Sequence, residues 1–135
     1  MKISNFRFYN PVKLIAGDKA LGSLPYELKQ LSSQRPLIIT DPGVREAGLI
    51  ELVKESLESK GDFNCSIFDR VPPDSSPAVV NSAAGMFRQE ACDAIVAVGG
   101  GSVIDTGKAA NIVISEKVDD IIELKGAKLK RPMQP

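Results

Sequence analysis

Ala94-Ile95-Val96-Ala97-Val98-Gly99-Gly100-Gly101-Ser102-Val103-Ile104-Asp105-Thr106-Gly107-Lys108 reads as an apolar strand that enters a run of three glycines and continues directly into a helix. A glycine run at the carboxyl end of a parallel strand lets backbone approach a ligand closely, and the helix that follows aims free N–H groups and positive dipole charge at it. The stretch predicts a phosphate cradle at the C-terminal edge of a parallel sheet.

Working outward, strand and helix patterns alternate. Leu37-Ile38-Ile39-Thr40 is a compact apolar run suited to a strand buried on both faces, and Asp41-Pro42 is an N-cap and first-turn pair that opens a helix expected from Pro42 to Ser59. Phe63 to Phe68 alternates as a half-exposed strand, and Ser75-Ser76-Pro77 opens a helix to about Glu90, carrying Val80, Ala83, Ala84 and Phe87 on one stripe. Successive βα units imply an α/β fold, a Rossmann-like, doubly wound and mostly parallel sheet. At the amino terminus, Phe6 to Tyr9 and Val12 to Ala16 flank Asn10-Pro11 as a β-hairpin, and Asp18 is expected to cap a helix from Lys19 to Leu31 that Pro25 divides.

Composition narrows the function. With 135 residues and 43% hydrophobic content the chain can bury one ordinary core, so residues 1–135 are expected to form a single domain. Its 17 basic and 17 acidic side chains cancel, which argues against a nucleic-acid footprint or a polybasic membrane surface; Lys125, Lys128, Lys130 and Arg131 read as a solvated basic tail. No stretch approaches the ~20 apolar residues of a membrane span, and the first residues lack an apolar signal core, so the expected location is cytoplasmic. Cys65 and Cys92 have no C-x-x-C spacing and read as small buried side chains. There is no histidine, hence no Ser-His or Cys-His pair and no imidazole metal ligand; no catalytic or metal-binding residue is expected in the chain itself.

Neither familiar phosphate motif fits the glycine run. A Walker loop would place glycine where Ser102 stands and Ser or Thr where Ala109 stands, and a dinucleotide fingerprint would place its third glycine at Ile104. The candidate cofactor contacts are therefore Gly99, Gly100 and Gly101 by close backbone approach, Ser102 as helix cap or phosphate donor, and Asp105 toward a ribose hydroxyl or as a structural first-turn acid. Lys108 can pair with Asp105 or reach over the cleft, and Gly107 permits close helix packing. Because ligands of open α/β sheets lie across the carboxyl ends of the strands, Asp41 converges on the same edge; it can cap its helix and also take both hydroxyls of an adenosine ribose, which favours NAD over NADP because a 2′-phosphate would be repelled.

Asn10-Pro11 with Leu14-Ile15-Ala16-Gly17, Thr40-Asp41-Pro42-Gly43, Val71-Pro72-Pro73-Asp74-Ser75-Ser76 and the G-G-G-S-x-x-D-x-x-K element Gly99 to Lys108 together resemble the amino-terminal domain of the iron-containing (group III) alcohol dehydrogenases. The resemblance extends over essentially the whole chain. It implies an NAD(P)-dependent oxidoreductase acting on a small alcohol or aldehyde, with Gly99 to Ser102 on the pyrophosphate and Asp41 on the adenosine ribose; Asp105 and Lys108 match the motif too. It further implies that the metal, iron or zinc, is bound by a helical domain following a point like Pro132, so that this chain is expected to be the cofactor-binding half alone, inactive even with added metal. A homo-oligomer is one expectation for segment 3–16, which can pair with its own sheet or a second copy's. Two other classes compete: a glycerol dehydrogenase or dehydroquinate synthase-like relative, and a non-catalytic nucleotide- or flavin-binding module.

Overall fold

The computed structural model describes Tyr9 and residues 11–126. Three parallel strands, β1 (Pro36–Thr40), β2 (Ser66–Phe68) and β3 (Ala94–Val98), form a sheet in the order β2-β1-β3. All five residues of central β1 are buried, as its unbroken apolar run requires. The helices are α1 (Leu24–Gln30), α2 (Pro42–Glu46), α3 (Leu49–Glu58), α4 (Pro77–Gln89) and α5 (Gly101–Glu116). Leu37 and Ile39 pack with Val80, Ala83, Ala84 and Phe87 of α4 and with Val103, Ala110 and Val113 of α5. Ile38, pointing the other way, packs with Leu28 of α1 and Ile50, Val53 and Leu57 of α3. The period of two along β1 thus builds two cores, one on each face of the sheet.

Because β1 lies between β2 and β3, the chain leaves β1 toward one side and returns to its other side, and this reversal opens a crevice at the carboxyl ends of β1 and β3. Register brings those ends level: Thr40 pairs with Val98, and the Thr40 hydroxyl donates to the Val98 carbonyl at 2.7 Å. At the opposite end, the Asp93 carboxylate accepts hydrogen bonds from the Ser33 hydroxyl (2.6 Å) and the N–H groups of Gln34 (2.9 Å) and Arg35 (3.0 Å). One side chain therefore binds the entry of β1 to the entry of β3. Burial pushes the Asp93 carboxyl upward, but these donors outweigh it and leave the group below its ordinary value.

Several local expectations are corrected. The helix expected from Pro42 to Ser59 is two helices, because Gly48 at φ 78° takes a left-handed conformation between them. Asp18 does not cap a helix; it lies in a turn ahead of a 3-10 segment, Ala20–Ser23, and α1 starts only at Leu24 with Pro25 in its first turn. The strand expected over Phe63 to Phe68 is reduced to its last three residues. Residues 12–16, expected as a hairpin arm, carry no strand; Val12 and Leu14 are exposed and Lys13 instead pairs with Glu27 at 2.8 Å. The other arm, Phe6 to Phe8, and Asn10 of the turn lie outside the described residues, as does the basic tail beyond Gly126. No helix among the described residues is long and apolar enough to cross a membrane.

Candidate dinucleotide-binding site

The crevice holds a cleft of about 470 Å³. Its lining comes from three chain segments: Asp41 to Gly43 after β1, Val71 to Pro73 after β2, and Gly100 to Val103 at the start of α5. Convergence of Asp41 and the glycine run, expected from strand topology, is therefore present. The Val71 N–H donates to the Thr40 carbonyl at 3.3 Å and sets the middle segment against β1.

Each segment is shaped by local chemistry. Asp41 is the N-cap of α2, accepting the Val44 N–H at 2.8 Å through one carboxylate oxygen and leaving the other without that bond. Ser76 caps α4 in the same way. The start of α5 differs: its N-cap is Gly100 and no side chain caps it, so first-turn N–H groups are left at the rim of the cleft. An uncapped helix start beside an apolar-walled cleft suits an anion.

The three glycines have different reasons to be glycine. Gly99 sits at φ 157°, and a methyl group there would meet Val103 Cγ2 at 2.7 Å, so the turn from β3 into α5 excludes any side chain. Gly99 itself does not line the cleft. At Gly100 and Gly101 a methyl group would meet no protein atom within 4 Å. Nothing within the chain demands glycine at these two positions; the space their side chains would fill belongs to the cleft. Backbone left open in this way is what close approach of a ligand requires. Gly107 is buried where α5 crosses β3, a methyl group there reaching 3.3 Å from Ala97 Cβ, in keeping with the close packing expected of it.

Ser102 does not cap α5. Its hydroxyl donates to the Pro73 carbonyl and ties two segments of the cleft together, leaving its backbone N–H as the group available to a phosphate. A parallel tie lies one turn on: buried Thr106 donates to the Ser102 carbonyl at 2.7 Å and, having a single hydrogen, accepts from the Ser75 hydroxyl at 2.7 Å. The Ser75 and Thr106 contact was missed in the sequence, although Thr106 falls on the buried stripe Val103, Gly107, Ala110 and Val113 at helical spacing.

Asp105 is exposed and lines a neighbouring depression with Ser75 to Pro77, Val80 and Lys125, not the Asp41 cleft. Lys108 lies on a third flank beside Ile95 and Ala97 of β3, and no ion pair joins it to Asp105. Its expected reach over the cleft is not seen: it sits two turns into α5, turned to the outer edge of β3. The two cysteines are free thiols, and burial raises both above the ordinary thiol value.

A family model, that of the iron-containing alcohol dehydrogenases, matches residues 11–135. The chain belongs to the iron-containing alcohol dehydrogenase family. Curated relatives include the NAD-dependent methanol dehydrogenase of Bacillus methanolicus, 35% identical over 106 residues, and the lactaldehyde reductase of Escherichia coli K12, 32% identical over 111 residues. These alignments cover 78% and 82% of this chain but 28% and 29% of those proteins. Among solved structures, an iron-containing alcohol dehydrogenase superposes with a TM-score of 0.84 at 26% identity, covering 98% of this chain and 36% of its own. The NADH-dependent butanol dehydrogenase A of Thermotoga maritima gives 0.83 at 26% identity, with coverage of 93% and 32%. The chain thus spans about a third of the length of these iron-containing alcohol dehydrogenase relatives. The metal implied by the family name does not fit the residues at hand: the sequence has no histidine, and among the described residues no three His, Cys, Asp or Glu side chains are grouped to hold an ion.

Proposed function

We propose that this chain is the dinucleotide-binding unit of an NAD-dependent oxidoreductase that interconverts a small alcohol and its aldehyde. The observation that carries the reading is the single cleft shared by Asp41 and the uncapped, glycine-lined start of α5. The first-turn N–H groups of α5 take the pyrophosphate, with Gly100 and Gly101 admitting it to the backbone. Asp41 holds the adenosine ribose: the oxygen not used for the Val44 N–H accepts from the ribose hydroxyls, and its charge disfavours a 2′-phosphate.

When bound, the nicotinamide supplies a hydride acceptor or donor. The residues of this chain fix its position, which is the contribution that orientation makes to rate. No metal-dependent step is assigned to these residues. The alcohol or aldehyde substrate class is supported by the names of the relatives, a methanol dehydrogenase, a butanol dehydrogenase and a lactaldehyde reductase. A cytoplasmic setting suits two free cysteines, which a reducing compartment keeps as thiols.

Calorimetric titration of the purified chain with NAD, NADP and FMN tests the reading. Binding of NAD in preference to NADP, weakened at least about tenfold by Asp41→Ala, is the expected result. Preference for FMN, or no binding of either dinucleotide, would overturn it.

A further inference from the structure

Two arginines, Arg45 and Arg70, lie beside segments that line the cleft, and both are engaged. Arg45 lies one turn after Asp41 on α2, its N–H donating to the Asp41 carbonyl at 3.2 Å. Its guanidinium is ion-paired with the Asp69 carboxylate, in a contact that leaves the two side chains 52% and 29% exposed. Arg70 lies over the Phe68 ring at 5.0 Å. Register explains the juxtaposition: Ile39 pairs with Phe68, so the chain leaves β1 at Asp41 beside the point where it leaves β2 at Asp69 and Arg70.

The Arg45 backbone is bonded to the Asp41 carbonyl, so its long side chain starts one turn from Asp41. Arg45 is therefore the residue placed to meet a phosphate on the adenosine ribose held at Asp41, and a planar guanidinium is suited to bind one through two hydrogen bonds. What withholds it is Asp69.

We propose that Asp69 is a specificity-positioning residue: by pairing with Arg45 it denies a 2′-phosphate the guanidinium that follows Asp41 on α2, and so reinforces the choice of NAD over NADP made at Asp41. The inference rests on the dinucleotide reading above and adds to it a residue that lies outside the cleft lining. Discrimination then has two parts, a repulsive carboxylate at Asp41 and an attractive arginine kept occupied, which is how specificity is built against a competitor that differs by one charged group.

The test measures the ratio of NADP to NAD affinity by calorimetry on the 135-residue chain. Asp69→Asn is expected to raise that ratio about tenfold, the effect of one added charge-assisted contact, while NAD affinity stays within about twofold. Adding Arg45→Ala to Asp69→Asn is expected to return the ratio to its starting value. Asp69→Ser serves as the second variant if the first is poorly folded. An unchanged ratio with NAD binding intact overturns the role of Asp69 alone, as does a raised ratio that persists without Arg45. Loss of NAD binding in both Asp69 variants shows that Asp69 supports the cleft itself and also overturns the role. If the unaltered chain binds neither dinucleotide, the functional reading fails and this inference with it.

Discussion

The Ser102 hydroxyl donates to the carbonyl of Pro73, joining the first turn of α5 to the loop that follows β2 across the cleft. Residues that are 29 positions apart in sequence become opposite walls of one site. The Ser102 side chain is thus a strut, which leaves donation to a ligand at this helix start to the backbone N–H groups.

Removing the strut should loosen the site without unfolding the protein. Ser102→Ala is expected to lower NAD affinity about three- to tenfold while shifting stability by no more than about 1 kcal/mol, since a partly exposed neutral hydrogen bond is lost. Paired calorimetric titrations and urea melts check this; a variant that binds NAD as tightly as the parent would show that the tie is not needed.

Adjacent glycines should respond in opposite ways. Gly99→Ala forces a methyl group against Val103 at a backbone angle that side chains avoid, and is expected to destabilise the fold by about 2–4 kcal/mol. Gly100→Ala meets no protein atom, so its stability should remain within about 0.5 kcal/mol while NAD affinity falls about tenfold or more. Denaturant melts and titrations of the two variants side by side separate backbone need from ligand space.

Asp93 should make stability depend on acid. Its folded-state carboxyl lies below the ordinary value, so the stability it contributes is present above about pH 4, the unfolded value, and is lost as pH falls through the folded one. Asp93→Ala is expected to cost about 2–4 kcal/mol at neutral pH, because the donors of Ser33, Gln34 and Arg35 lose their acceptor. Asp93→Asn keeps an acceptor and should lose less stability between pH 6 and pH 3 than the parent, as guanidinium melts at the two pH values would reveal.

The cysteines should be slow to react. Burial holds both thiols above their ordinary value and leaves Cys92 only 8% exposed, so little thiolate is present at neutral pH. Alkylation by iodoacetamide is expected to be slow for the native protein, slowest at Cys92, and complete once it is unfolded; mass spectrometry of the labelled chain distinguishes the two sites.

Much of this molecule was legible in its sequence because the relevant physics is local. The apolar run Leu37 to Thr40, the capping residue Asp41, the helix opening at Ser75-Ser76-Pro77 and the strand-glycine-helix passage at 94–108 each depend on neighbours within a few positions, and each formed as expected. Parallel βα units with a reversal in strand order place Asp41 and the glycine run at one sheet edge, so the site too was approachable from patterning. Gly48 shows the limit of such reading: apolar spacing runs through it at helical period, and only its left-handed conformation ends one helix and begins the next.

Long-range pairings were decided by the tertiary structure alone. That Ser102 reaches Pro73 instead of capping its own helix, that Asp93 gathers the entries of two strands, that Asp105 and Lys108 turn to separate flanks of α5, and that Asp69 occupies Arg45 beside Asp41 all depend on where strands come to lie relative to one another. Sequence by itself determined strands β1 and β3, the cap at Asp41 and the glycine-opened start of α5, because those choices are settled by dihedral preference and side-chain periodicity. The partners of a hydroxyl, a carboxylate or a guanidinium were settled only by folding, since these groups bond to whichever donor or acceptor the packed backbone brings within about 3 Å.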